Sequence, residues 1–257
     1  MSKIIIKSFF DEITKAVIHC VTDSATGYTA IVDPFLGHHI VSGKPTTTLI
    51  DAIIAYVEQQ NFHVQWILQT NISDADTSAA NYIKRMVGGQ IGVGSEAEFE
   101  TAVSKHTKIF GSNHNQPSYQ FDLLFSDNEL IALGHIKILV MHTGSSFSFL
   151  IADAVFVGAT FLKSTPENVS CITPKGDANV HLTDNILSLP NATRVFIKNG
   201  VKAPYNCGYK WEFTIIEEKL KLRTNVVHNK YAYADTSFIS QHTHRYSMRS
   251  KNEELSS

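Results

Sequence analysis

The sequence predicts an α/β protein built as a four-layer αββα sandwich, two sheets face to face with helices outside. Three observations carry that expectation. Short, apolar, β-branched runs stand first and last in each half; stripes of helical period lie between them; and no linker-like stretch interrupts the 257 residues. The last makes 1–257 a single domain, with 225–257 a C-terminal helix and frayed tail.

Ile4 to Phe10 is short and apolar, as a buried strand is. Ala16 to Val21 and Thr29 to Val32 follow, divided by the turn formers Asp23-Ser24-Ala25-Thr26-Gly27 and closed by Asp33-Pro34, so three strands form an antiparallel meander. The period then changes. Thr46-Thr47-Thr48 leads into Leu49, Ile50, Ile53, Ile54 and Val57, the stripe of a helix of about 14 residues. Val64 to Leu68 is the next strand, Thr70 to Asp76 a polar loop, and Ser78 to Val87 a helix stopped by Gly88-Gly89. Ile91 to Gly94 reads as a strand and Glu96 to Val103 as a short helix. Glu129 to Ala132 and Ile136 to Met141 form a hairpin around Gly134, and Phe147 to Ile151 and Val155 to Val157 another around Ala152-Asp153. Asp177 to Leu189 reads as a helix and Arg194 to Ile197 as a strand. Trp211 to Leu222 reads as a helix with Phe213, Ile216 and Leu220 on one face, and Ser237 to Arg249 as a last helix.

Composition narrows the function classes. With 22 Lys+Arg against 24 Asp+Glu the formal charge is −2, and nothing resembles the basic footprint of a nucleic-acid binder. Charged residues are 18% and apolar residues 43%, which excludes a disordered chain. The three cysteines (Cys20, Cys171 and Cys207) are far apart and form no CxxC pair, so neither a disulfide framework nor a cysteine-rich zinc site is expected. No apolar run reaches the length of a membrane helix, and Met1 to Asp11 carries no signal-peptide cleavage pattern. The expectation is a soluble, cytoplasmic protein with no membrane or nucleic-acid partner.

From Val64 to Gly94 the order is strand, Thr-led polar loop, helix with Ser78-Ala79-Ala80, Gly88-Gly89, then Ile91-Gly92-Val93-Gly94. With Ile6 to Asp11, Ala30 to Asp33, Asp51 to Val57, Phe156-Val157-Gly158, Gly176-Asp177-Ala178 and Lys202-Ala203-Pro204 in the expected order, the chain resembles the metallo-β-lactamase fold superfamily over roughly 3–225. Within it the resemblance is to the glutathione-dependent persulfide dioxygenase, or glyoxalase II-like, group. That resemblance implies a Thr-His-x-His-x-Asp-His metal motif after Leu68. Here the run is Thr70-Asn71-Ile72-Ser73-Asp74-Ala75-Asp76, so Asn71, Ser73 and Asp76 stand where histidines belong and Ala75 where the aspartate belongs.

The remaining positions that the resemblance implies depart in the same way. His142, in His142-Thr143-Gly144-Ser145-Ser146, corresponds either to a ligand histidine or to the non-ligand histidine preceding it; strand register favours the second. Ala159, in Gly158-Ala159-Thr160, replaces the bridging aspartate, and Asn199 replaces the last histidine. The segment Phe161 to Glu167 lacks the arginine and paired aspartate expected around a thiol substrate. Zinc needs three or four His, Cys or carboxylate ligands, and non-haem iron two histidines and a carboxylate. The expectation is a vestigial cleft of Asn71, Ser73, Asp74, Ala75, Asp76, His142, Ala159 and Asn199, with no catalytic residue, no metal and no cofactor.

Other readings stand beside this one. Asp74 and Asp76 with Asn71 suit either a hard cation or the turn and N-cap chemistry of the helix starting near Ser78. His38-His39 reads as solvated, His242 and His244 as separated on a helix, and Cys20 as a small core residue. Cys207 is a thiol near the old site mouth. Three hypotheses follow: a pseudoenzyme that binds a small molecule or protein partner; a hydrolase or dioxygenase with a remodelled metal site at Asp74, Asp76 and His142, or acting through Cys207; and a partner of an active paralogue, with a homodimer as the symmetric variant.

Overall fold

Two sheets share one hydrophobic interior in the computed structural model, which describes residues 3–38, 42–71, 78–94, 121–143, 146–158, 163–165, 168–170, 185–202, 208–217 and 219–220. In chain order the elements are β1 (Ile4–Phe10), β2 (Val17–Asp23), β3 (Tyr28–Val32), β4 (Gly37–His38), β5 (Pro45–Thr46), α1 (Thr48–Gln59), β6 (His63–Gln69), α2 (Ala80–Val87), β7 (Gln90–Gly94) and β8 (Leu123–Phe125). Then come β9 (Leu130–Leu133), β10 (Ile136–His142), β11 (Phe147–Ile151), β12 (Ala154–Phe156), β13 (Lys163–Thr165), β14 (Asn168–Ser170), β15 (Arg194–Lys202) and β16 (Tyr209–Thr214). The first six-stranded sheet runs β1-β2-β3-β6-β7-β8 and the second β16-β15-β12-β11-β10-β9.

The first sheet opens with the antiparallel meander expected from the sequence and continues with parallel β3-β6-β7-β8. Parallel strands need covered faces. The cover extends to the antiparallel strand β2, every residue of which from Val17 to Asp23 is buried. Its Ile18 and Cys20 face α1 and α2 with Ile50, Ile53, Ile54, Val57 and Ile83, while Val21 faces the second sheet with Val32, Leu68, Val140, Phe149 and Phe156. The outer face of the second sheet packs Val155, Val157, Val195 and Phe213 against Ile186 and Ile215. Layers of helix, sheet, sheet and helix are therefore present.

Most expected elements stand within a residue or two of their places. One differs in part: of the helix expected from Trp211 to Leu222, 211–214 belong to β16, while 215–217 and 219–220 are helical. The apparent stripe of Phe213, Ile216 and Leu220 is no buried face, because Ile216 and Leu220 are exposed. Aromatic residues at Tyr209, Trp211 and Phe213, two apart, suit a pleated strand that pairs with β15. Helix α2 starts at Ala80 rather than Ser78, whose hydroxyl accepts the Ala80 amide and whose backbone bridges Phe35. The expected helices at 96–103 and 237–249, and the first part of 177–189, lie outside the described residues.

Polar ties cross between the sheets. Trp66 Nε1 donates to Ala132 O at 2.6 Å. The Asp23 carboxylate receives His135 N–H at 2.9 Å, and Gln65 Oε1 receives Gly134 N–H at 3.0 Å, which fixes the β9–β10 turn. Gly134 has φ +56°, and a Cβ there would lie 2.6 Å from Asp23 Oδ2, so only glycine fits this turn. Burial pushes the Asp23 carboxyl up, but the His135 and Ala25 amides and the Thr26 hydroxyl outweigh it and hold it below its ordinary value. Burial alone pushes the Cys20 thiol up to about 12, which makes it an inert core residue.

His19 is a second buried titratable group between the sheets. Nε2 lies 3.1 Å from Ile197 O, so it carries the proton and donates, and Nδ1 accepts the Ser8 hydroxyl at 2.9 Å. Burial pushes its pKa down from 6.5 to about 4, against a smaller upward pull from the Ile197 carbonyl. A base whose folded pKa lies below its unfolded value is protonated first in the unfolded chain, so native stability falls as pH drops from 6.5 to about 4. Denaturant titrations at about pH 7 and about pH 4 are expected to show a loss of about 3 kcal/mol in the wild type that His19→Gln lacks.

Candidate functional site

The parallel strands of the first sheet end together, and ligands of α/β sheets bind outside such carboxyl ends. Here the ends are Asp33 after β3, Thr70 and Asn71 after β6, and Gly94 closing β7. The second sheet brings His142 at the end of β10, Phe147 at the start of β11, Gly158 just past β12, and Asn199 within β15. The two sets meet as one rim.

Asp33 is buried with φ +53°, a conformation that aspartate tolerates better than most residues. Its amide donates to Leu68 O at 2.8 Å. Its carboxylate accepts the Thr70 amide at 2.8 Å, and the Thr70 hydroxyl lies 2.9 and 2.8 Å from its two oxygens. Thr70 in turn reaches across to the second sheet, where its carbonyl accepts Phe147 N–H at 2.8 Å. Gly158, at φ +62°, rests against the Thr70 side chain; a Cβ there would overlap the hydroxyl and come within 2.8 Å of the Thr70 Cβ. A Cβ on Gly94 would fall inside the Phe147 ring. Thr70, Asp33, Gly158 and Gly94 with Phe147 thus tie the two sheets together at the rim.

Of the residues expected in the cleft, Asn71, His142 and Asn199 are described, and all three are half-buried on this rim. Asn71 follows Thr70 directly. The ring of His142 lies 5.0 Å from that of Phe147, and its amide donates to Asp127 Oδ1 at 2.7 Å. Asn199 follows Lys198, whose amide donates to Gly158 O at 3.1 Å, and it bridges Ala16. Ser73, Asp74, Ala75, Asp76 and Ala159 lie outside the described residues, as do His39, Cys207, His242 and His244. His38 is exposed. The sequence reading missed the Asp33–Thr70–Gly158 tie and Phe147; Asp33-Pro34 announced a strand end and Thr70 a loop, but no local signal joins positions so far apart.

No protein-family model matches the chain. A beta-lactamase hydrolase-like protein from Xylella fastidiosa is 34% identical over 225 residues, which cover 83% of this chain and 51% of that protein. The chain therefore spans about half the length of that relative. A protein from Burkholderia pseudomallei named "Probable metallo-hydrolase" is 29% identical over 262 residues, covering 93% of this chain and 85% of the relative. Among solved structures, ETHE1 from Myxococcus xanthus superposes with a TM-score of 0.57 at 18% identity, over 84% of this chain and 81% of that one. The chain has the metallo-β-lactamase fold and is similar in sequence to proteins named hydrolase-like and metallo-hydrolase.

A metal at the rim of such a fold needs donors of the right kind. The rim's described members offer two neutral amides, Asn71 and Asn199, and one imidazole, His142. Amides are poor ligands for zinc or iron, which need imidazole, thiolate or carboxylate donors in threes and fours. Among the described residues at these strand ends, the buried carboxylate is Asp33, which already receives the amide and hydroxyl of Thr70. Among the described residues, these donors do not by themselves make the metal centre that the fold implies.

The fit between Gly158 and Thr70 has a measurable energy. Gly158→Ala forces a left-handed alanine against the Thr70 hydroxyl and is expected to cost about 2–4 kcal/mol in denaturant unfolding. In a Thr70→Ala background the overlap with the hydroxyl disappears, so the same change is expected to cost less, and a double-mutant cycle reads the difference.

Proposed function

We propose that this chain is a catalytically inactive, metal-free homologue of the metallo-hydrolases, and that its rim binds a small molecule or a protein partner. One observation carries the reading: the rim positions that match the superfamily's ligands bear Asn71 and Asn199, joined in sequence by Ser73, Ala75, Asp76 and Ala159. These side chains offer at most one carboxylate, and His142 adds one imidazole at most. Without a bound metal there is no polarised oxygen and no activated water, so the superfamily's hydrolytic chemistry has nothing to drive it.

What remains is a shaped, hydrogen-bonding edge. Asn71 and Asn199 each carry a donor and an acceptor on one amide, His142 adds an imidazole, and Phe147 adds an aromatic face beside it. Such a mixture suits a polar ligand recognised by hydrogen bonds, as in sites where a few polar groups orient a ligand in a concave setting. The similarity to metallo-hydrolases supports descent from an enzyme; the altered donors support a change of use.

Elemental analysis of protein purified without chelator or affinity-metal contact is expected to find less than about a tenth of a transition-metal or calcium ion per chain. Near one ion per chain would overturn the reading in favour of a remodelled site, and Asp76→Ala and His142→Ala would then show which residues hold the ion. Conversely, Asn71→His, Ser73→His, Ala75→Asp, Asp76→His, Ala159→Asp and Asn199→His made together are expected to raise zinc binding well above the wild type, read by calorimetry.

A further inference from the structure

The register between β15 and β16 breaks at one place. Phe196 faces Glu212 and Val201 faces Lys210, so the stretch from Ile197 to Gly200 lies opposite Trp211 alone. A bulge of this kind bends a strand and leaves backbone groups that need partners elsewhere. Lys198 N–H donates to Gly158 O at 3.1 Å, Gly200 N–H donates to Lys15 O at 2.7 Å, and Asn199 bridges Ala16. The Ile197 carbonyl accepts from His19 Nε2 at 3.1 Å. Lys15, Ala16 and His19 belong to the β1–β2 hairpin, so the bulge ties a strand of the second sheet to the first.

We propose that His19 is a positioning residue for the rim: by holding the Ile197 carbonyl it sets the path of the bulge that carries Asn199. The ring is confined on every side that matters. Phe156 and Phe196 pack against it with centroids 5.5 and 5.3 Å away, and Ser8, its register partner on β1, occupies Nδ1 at 2.9 Å. Because the Ile197 carbonyl can only accept, Nε2 carries the proton and donates to it, and Nδ1 then accepts from the Ser8 hydroxyl. An apolar side chain of similar volume would fill the space and leave the carbonyl short of a buried donor. These contacts shape the bulge from the interior of the sandwich. The proposal rests on reading the rim as a binding surface, but its test follows backbone protection rather than binding or metal content, so either can fail alone.

Amide hydrogen exchange of the full chain, compared for wild type, His19→Leu and His19→Gln, tests it. In His19→Leu the Lys198 and Gly200 amides are expected to exchange at least about tenfold faster than in wild type, while the β2–β3 ladder stays protected. Glutamine can donate to Ile197 and accept from Ser8, so His19→Gln is expected to stay within about twofold of wild type at both amides. Unchanged exchange in His19→Leu, equal acceleration of ladder and bulge, or a glutamine variant as fast as leucine would each overturn the proposal. Should His19→Leu not fold, Ser8→Ala takes its place: acceleration confined to Lys198 and Gly200 supports the positioning role, and uniform or absent acceleration overturns it.

Discussion

A carboxylate taken out of water is costly unless hydrogen-bond donors replace the solvent. Asp33 is such a group, buried at the end of β3 with its backbone in the left-handed region. Thr70 supplies an amide and a hydroxyl to it, and the same residue offers its carbonyl to Phe147 on the facing sheet. One threonine therefore closes β3 against β6 and the first sheet against the second. Because its side chain then needs a neighbour without a Cβ, Gly158 sits against it, and from Gly158 the chain of contacts passes through Lys198 to the arm bearing Asn199. The rim owes its shape to this sequence of dependencies.

The far end of the sandwich repeats the device with different residues. Asp23, at the end of β2, takes the His135 amide, and Gly134 lies where any side chain would strike Asp23 and Thr26. Between these two anchored ends stands an apolar interior of Val21, Val32, Leu68, Val140, Phe149 and Phe156, with His19 as its polar exception. Hydrophobic burial holds the sheets together without direction; the acidic anchors and the histidine fix how they lie.

Legibility from sequence followed the range of the physics involved. Period and punctuation are local, so the meander β1–β3, the stripe of α1 and the stop at Gly88-Gly89 could all be read in advance. The strand at Tyr209 to Thr214 was misread because its buried Phe213 falls in helical step with Ile216 and Leu220, which belong to the helical residues that follow it and are exposed. The site was half legible. A motif resemblance located Asn71, His142 and Asn199, and all three stand on one rim; yet what joins them, Thr70 to Asp33 and to Gly158, spans separations that no local pattern encodes. His19 was invisible for the same reason, since its partner Ile197 lies on the other sheet and acts through its backbone.

The ties that cross the sandwich also bear on how it is made. Asp23 meets its partner 112 positions along the chain, and His19 meets Ile197 after 178. Closing loops of that length carries an entropic cost that is recovered only once both ends are structured, and chains rich in such contacts fold slowly. During synthesis β1, β2 and β3 emerge before β9 to β12, the strands that cover their inner face in the folded chain. The nascent first sheet therefore passes through a stage with Val21, Val32 and Leu68 bare to solvent, the kind of intermediate that chaperones recognise.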